Sequence, residues 1–205
     1  WYLLIYVGNE AVGLFSLYTS IIGFLSIAEL GVGTAITFSM YKPLVEKDYD
    51  KVSGLYYLYR KIYMIIFIIV LVVGISITPF IPMMANENTS LFNIYLTYLI
   101  FLSATITTYL YAHKTSFINA NLDNYLTVTI RSAAIFVESI LQIVILIFVA
   151  KSNPYLGFNL FMLVLLGSNL IQWFITNIIF KKRYKQDLND NKQIPKELKK
   201  DVLEK

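Results

Sequence analysis

The feature that most restricts this chain is a series of charge-poor apolar runs, each long enough to cross a lipid bilayer, separated by short polar segments. A membrane-spanning helix needs about twenty mainly apolar residues. Such runs fall at about residues 14–40, 62–80, 91–111, 126–150 and 155–180. The opening WYLLIYV, residues 1–7, reads as the tail of a further span that begins upstream. The runs are continuous rather than alternating, so helices and not a β-barrel satisfy the backbone in lipid. The expected fold is an all-α integral membrane protein, a six-helix transmembrane lobe over residues 1–180 with its first helix truncated. A polar segment, residues 181–205, follows it. Composition agrees, with 57% hydrophobic and 15% charged residues, where a soluble domain carries roughly a quarter charged.

Charge distribution gives the orientation. Basic residues gather on the cytoplasmic side of a membrane protein. Lys42, Lys47, Lys51, Arg60 and Lys61 follow the second run, Lys114 and Arg131 flank the loop after the fourth, and nine more follow the sixth. Sixteen of the seventeen Lys and Arg residues therefore fall on one side, and Lys151 alone on the other. The segments Lys42–Lys61 and His113–Asn124 and the basic tail are expected to be cytoplasmic. The positive balance speaks of topology, and no nucleic-acid partner is inferred. Within the tail, Pro195 is placed to open a short helix with one weak apolar stripe, since Pro suits a first turn.

Several chemistries lack their residues. There is no cysteine, hence no disulfide or thiolate metal site, and one His is too few for a His-based zinc centre. The chain has no Gly-rich phosphate loop, no His-bearing metalloprotease helix and no G-x-S-x-G elbow. No cofactor, metal or catalytic residue is expected.

Polar residues inside spans are costly in hydrocarbon and are candidates for function. Only two acidic residues lie within runs, Glu29 and Glu138. Glu138 stands near the middle of its run. At seven-residue spacing Arg131 shares its helix face, and Gln142 follows one turn on. Glu29 aligns with Ser26 and Gly33. In the last run Asn169, Gln172 and Thr176 again make one face. These polar sides should turn to a shared interior, as candidates for a substrate or ion pathway. Each also has a plainer role. Amides join helices by hydrogen bonds, an Arg near a span end extends to the interface, and a buried Glu can pair with a cation of another span. Ser16, Ser20, Gly23 and Gly33 are expected to allow close helix packing.

The stretches AELGVGTAI (residues 28–36) and YKPLVEKD (41–48), with PFIP (79–82), FINANLDNYL (117–126) and IPKELKKDVLEK (194–205), resemble oligosaccharide flippases. These belong to the polysaccharide transporter family, within the superfamily that also holds multidrug exporters. The likeness spreads over nearly the whole chain and specifies family better than substrate. It implies the first lobe of a two-lobe exporter in the bacterial cytoplasmic membrane, with residues 181–205 linking to a second lobe. It implies a central cavity for polyprenyl-pyrophosphate-linked oligosaccharide, alternating access without ATP, surrounding membrane lipid, and polymerase and glycosyltransferases of the same pathway as partners. Arg131 is the one basic candidate within a span for the pyrophosphate. The physics of such cargo is consistent. Sugar hydroxyls cannot enter hydrocarbon without replacement hydrogen bonds, and a midplane site between rocking halves supplies them. Two other readings stay open, a cation-coupled multidrug exporter using Glu138, and a membrane-bound glycosyl- or acyltransferase needing an interfacial Asp- or His-bearing loop.

Overall fold

The computed structural model describes residues 2–26, 31–85, 93–185 and 188. Among these residues there is no strand. The helices are α1 (Tyr2–Tyr6), α2 (Asn9–Ser26), α3 (Val32–Val45), α4 (Tyr49–Ile77), α5 (Ile81–Met84), α6 (Ile94–Ala120), α7 (Asn124–Ile145) and α8 (Pro154–Arg183). A 3-10 turn, Thr78–Phe80, joins α4 to α5, and α7 widens into a π turn at Leu146–Ala150. Four of these segments are long and apolar enough to span a bilayer: Tyr49–Met84, Ile94–Ala120, Asn124–Ala150 and Pro154–Arg183. Glu29 and the tail from residue 189 lie outside the described residues.

The structure departs from the sequence reading in three places. The run at residues 14–40 is not one uninterrupted helix. Gly31, just before α3, sits at φ 90°, a left-handed conformation outside the α-helix that glycine adopts without a Cβ penalty. The supposed loop Lys42–Lys61 instead comprises the last turn of α3, a tight turn at Glu46–Asp48 and more than three turns of α4. Asp48 starts that helix. Its carboxylate accepts the Lys51 amide at 3.1 Å and pairs with the Lys51 ammonium at 2.7 Å. The hydrogen bond from Lys51 holds the Asp48 carboxyl below the usual carboxylate range. At 29 residues α4 is about 43 Å long, well beyond the roughly 30 Å hydrocarbon layer, so its first turns reach past the lipid. Likewise α6 continues to Ala120, where the run at residues 91–111 anticipated a loop. The third difference concerns small residues. Ser16, Ser20 and Gly23 face outward, the Ser20 hydroxyl returning to the Ser16 carbonyl at 2.8 Å. Only Gly33 packs as expected, since a Cβ there would lie 3.1 Å from the Tyr63 hydroxyl oxygen.

Helix α6 is the centre, packing on α3, α4, α7 and α8. Its sequence suits that place. Ser103, Thr105, Thr107 and Thr115 send their hydroxyls back to carbonyls four residues earlier, so they tolerate burial among neighbours. The outer helices instead show apolar faces outward. On α4, Met64, Ile65, Ile68, Ile69, Val72 and Ile75 form an exposed stripe, and α7 buries no residue before its π turn. In water such a surface would be an adhesive patch. Against hydrocarbon it is the ordinary outer face of a spanning helix.

Two apolar clusters tie the ends. At the basic end Tyr56, Phe117, Phe180 and Tyr184 stack or meet edge to face, with Tyr56 and Phe180 rings 5.2 Å apart. Tyr184 also donates to the Asp123 carboxylate. At the other end the Tyr18 hydroxyl donates to the Ile94 carbonyl at 3.0 Å and lies 2.7 Å from the Thr97 hydroxyl. Chain direction and these contacts put Lys47, Lys114 and Lys185 at one end and Lys151 at the opposite end. Single cysteines at positions 47 and 185, easy to introduce in a chain without any, are expected to resist an impermeant thiol reagent in intact cells, while Ser152→Cys reacts. Strong labelling at 47 or 185 would overturn the orientation.

Candidate functional site

Between α4, α6, α7 and α8 lies an open-sided cavity of about 630 Å³. Among its described lining residues, eleven of fifteen carry a polar group, and Ala112, Ile130, Ile135 and Leu165 are apolar. It extends from Glu138 and Leu165, near mid-length of their helices, to Thr127 and Thr176 toward the basic end.

The polar faces of α7 and α8 meet here. Asn169, Gln172 and Thr176 line the cavity together, and Gln172 and Thr176 are buried. One of them, Asn169, also bonds to a neighbouring helix, while the Gln172 bond stays within α8. The Asn169 amide donates to the Ala104 carbonyl of α6 at 3.0 Å, and the Gln172 amide donates to Asn169 Oδ1 at 3.4 Å. Arg131 and Glu138 line the same space. Seven residues separate them, a rise of about 10 Å, so they place a guanidinium and a carboxyl at different depths of one wall. Gln142 is not in the wall. Its amide donates to Glu138 Oε1 at 3.3 Å and holds the carboxyl from behind. None of the ion pairs among the described residues involves Glu138.

Sequence reasoning missed the other polar residues of the wall: Tyr63 from α4, Thr108, Tyr111, Thr115 and Ser116 from α6, and Thr127 from α7. A signal existed, because Thr108, Tyr111 and Thr115 fall at helical spacing. It was hidden among the many other hydroxyls of α6.

Beside the cavity runs an apolar groove of about 680 Å³ between α7 and α8, lined by Val137, Leu141, Val164, Ile171 and their neighbours. Ile130 and Glu138 belong to both walls. A polar compartment therefore adjoins an apolar one, with a single carboxyl at the boundary. Among the described residues no group of three His, Asp or Glu side chains is placed to hold a metal ion.

Comparison of the chain with protein-family models, with curated proteins and with solved structures finds no match in any of the three. The chain is thus placed by its own architecture, as an all-helical protein with four helices long and apolar enough to cross a membrane.

Proposed function

We propose that this protein is part of a flippase that moves polyprenyl-pyrophosphate-linked oligosaccharide across the bacterial cytoplasmic membrane, for capsule, exopolysaccharide or O-antigen assembly. The observation that carries the reading is the adjoining pair of compartments, which matches the two halves of such an amphiphile. Hydroxyls and amides of α6 and α8 can replace the water that a sugar headgroup gives up. The groove between α7 and α8 offers an apolar path for the lipid tail. Arg131, the one cation in the cavity wall, is suited to a phosphate. A second lobe facing this cavity would close it and allow alternating access around a midplane site. The resemblance of AELGVGTAI and YKPLVEKD to the oligosaccharide flippases points to the same family.

Deleting the gene should cause lipid-linked repeat units to accumulate on the inner leaflet and polymer to vanish from the surface, with both reversed by the intact gene. Unchanged repeat-unit levels and normal polymer display would refute the role. One observation favours a second reading, a cation-coupled multidrug exporter: Glu138 stands at the compartment boundary without an ion-pair partner among the described residues. Gene-dependent ethidium accumulation in inverted vesicles, with repeat units unchanged, would select it.

A further inference from the structure

A second pocket, of about 310 Å³ and rich in basic residues, lies between α4, α6 and α8 near the basic end. It is on the far side of α6 from the cavity. At 100° per residue, Leu110, His113 and Lys114 point away from Thr108, Tyr111 and Thr115, which face the cavity. Arg60, Lys114, Lys181 and Lys185 converge on it from three helices and the turn that follows α8. No Asp or Glu is among its described lining residues, and none of these four cations is in an ion pair among the described residues. Lys114 is half-buried, held by the Asn177 side-chain oxygen and lying 5.6 Å from the centre of the Phe180 ring. His113 Nε2 is enclosed with no hydrogen-bond partner among the described residues.

Gathering four like charges around one hollow is unfavourable unless an anion occupies it. Depth and surroundings indicate which anion. The pocket is at the end of the bundle where the basic residues gather, the level of the headgroups of one leaflet. Its rim residue Met64 is 45% exposed and begins the outward apolar stripe that continues through Ile68 and Val72. An acyl chain would lie along that stripe while its phosphate sits below. Basic pockets between spanning helices are suited to anionic lipid headgroups. We propose that the pocket formed by Arg60, Lys114, Lys181 and Lys185 binds the phosphate of an anionic phospholipid from the leaflet at the basic end. This site is separate from the transport cavity and does not depend on what that cavity carries.

The test uses the purified 205-residue chain in detergent, with lipid retention read by native mass spectrometry. The probes are phosphatidylglycerol, phosphatidylcholine and inorganic phosphate. The wild-type chain should retain phosphatidylglycerol over phosphatidylcholine, and inorganic phosphate should not displace it. Arg60→Gln with Lys114→Gln should reduce that preference by roughly fivefold per charge removed. Because Lys114 is half-buried, Lys181→Gln with Lys185→Gln is the second variant, at exposed positions where folding is undisturbed. It should weaken retention in the same direction at an unchanged melting temperature. Lys42→Gln with Lys47→Gln removes the same charge at the same end but outside the pocket, and should leave the preference intact. Equal retention by the Lys181/Lys185 variant, an equal loss in the Lys42/Lys47 control, or displacement by inorganic phosphate would each overturn the proposal.

Discussion

Glu138→Gln is expected to reduce polymer display by about tenfold or more, the rate equivalent of about 1.4 kcal/mol, at unchanged membrane abundance. The expectation rests on the proposed transport role and on the surroundings of the side chain. Gln preserves volume, and its side-chain oxygen can still accept the Gln142 amide that now lies 3.3 Å from Glu138 Oε1. No ion pair among the described residues involves Glu138, so the substitution leaves no described cation without a partner. Only charge and titration are lost, at the boundary between the polar cavity and the apolar groove. The assay is complementation of a flippase-null strain by the variant gene, with abundance measured by blotting. Full display at normal abundance would remove Glu138 from the site. Lost display with lost abundance would assign it to folding. Asn169→Ala is the contrasting variant. It deletes a cavity amide together with the bond to the Ala104 carbonyl. It should lower thermal stability by about 0.6 kcal/mol, a typical value for a hydrogen bond between spanning helices.

Gly157→Ala is expected to destabilise the hairpin of α7 and α8 by about 1–3 kcal/mol, the range for forced overpacking. The first turn of α8 is fixed by Asn153, which caps it by accepting the Leu156 amide at 3.0 Å, and by Pro154 at the first helical position. That geometry drives Gly157 against the end of the π turn. A Cβ at 157 would lie 2.4 Å from Ala150 Cβ and 2.6 Å from Ala150 Cα. The second of these atoms is backbone and cannot rotate aside. Thermal unfolding of the purified protein should shift down, and monodisperse yield should fall. Adding Ala150→Gly removes one of the two obstructing atoms and should recover part of the loss, as coupled neighbours do in a double-mutant cycle. A melting temperature unchanged by Gly157→Ala would refute the close approach.

Hydropathy reads depth in a membrane rather than helix length, and the differences between expectation and structure follow from that. The runs at residues 126–150 and 155–180 coincide closely with α7 through its π turn and with α8, because these segments turn around within a few residues. The runs at 62–80 and 91–111 located α4 and α6 but stopped short. The extra turns are polar enough to leave the lipid, and they stay helical because Tyr56, Tyr59, Phe117 and Ala120 pack in the cluster at the basic end. The site divides in the same way. Arg131, Glu138, Asn169, Gln172 and Thr176 were legible because charge and amide groups are rare inside apolar runs. Tyr63 and the hydroxyl face of α6 were not, since Thr and Ser surround that helix and sixteen Tyr are spread along the chain. Gln142 shares the helix stripe but stands behind Glu138 rather than in the cavity wall.

By itself the sequence determined that the chain is helical, that it holds segments suited to lipid, and that its basic residues collect at one end. Lipid accepts no unsatisfied backbone and few charges, and both requirements are written in local composition. Only the tertiary structure decided how each helix is rotated about its axis. Lipid tails are as apolar as leucine, so burial in the membrane does not choose which face meets a neighbour. Close packing and hydrogen bonds between helices make that choice, here through contacts such as Gly157 on Ala150 and Asn169 on the Ala104 carbonyl. That rotation set Glu138 at the meeting of a polar cavity and an apolar groove. It also brought Arg60, Lys114, Lys181 and Lys185, distant in sequence, around one pocket.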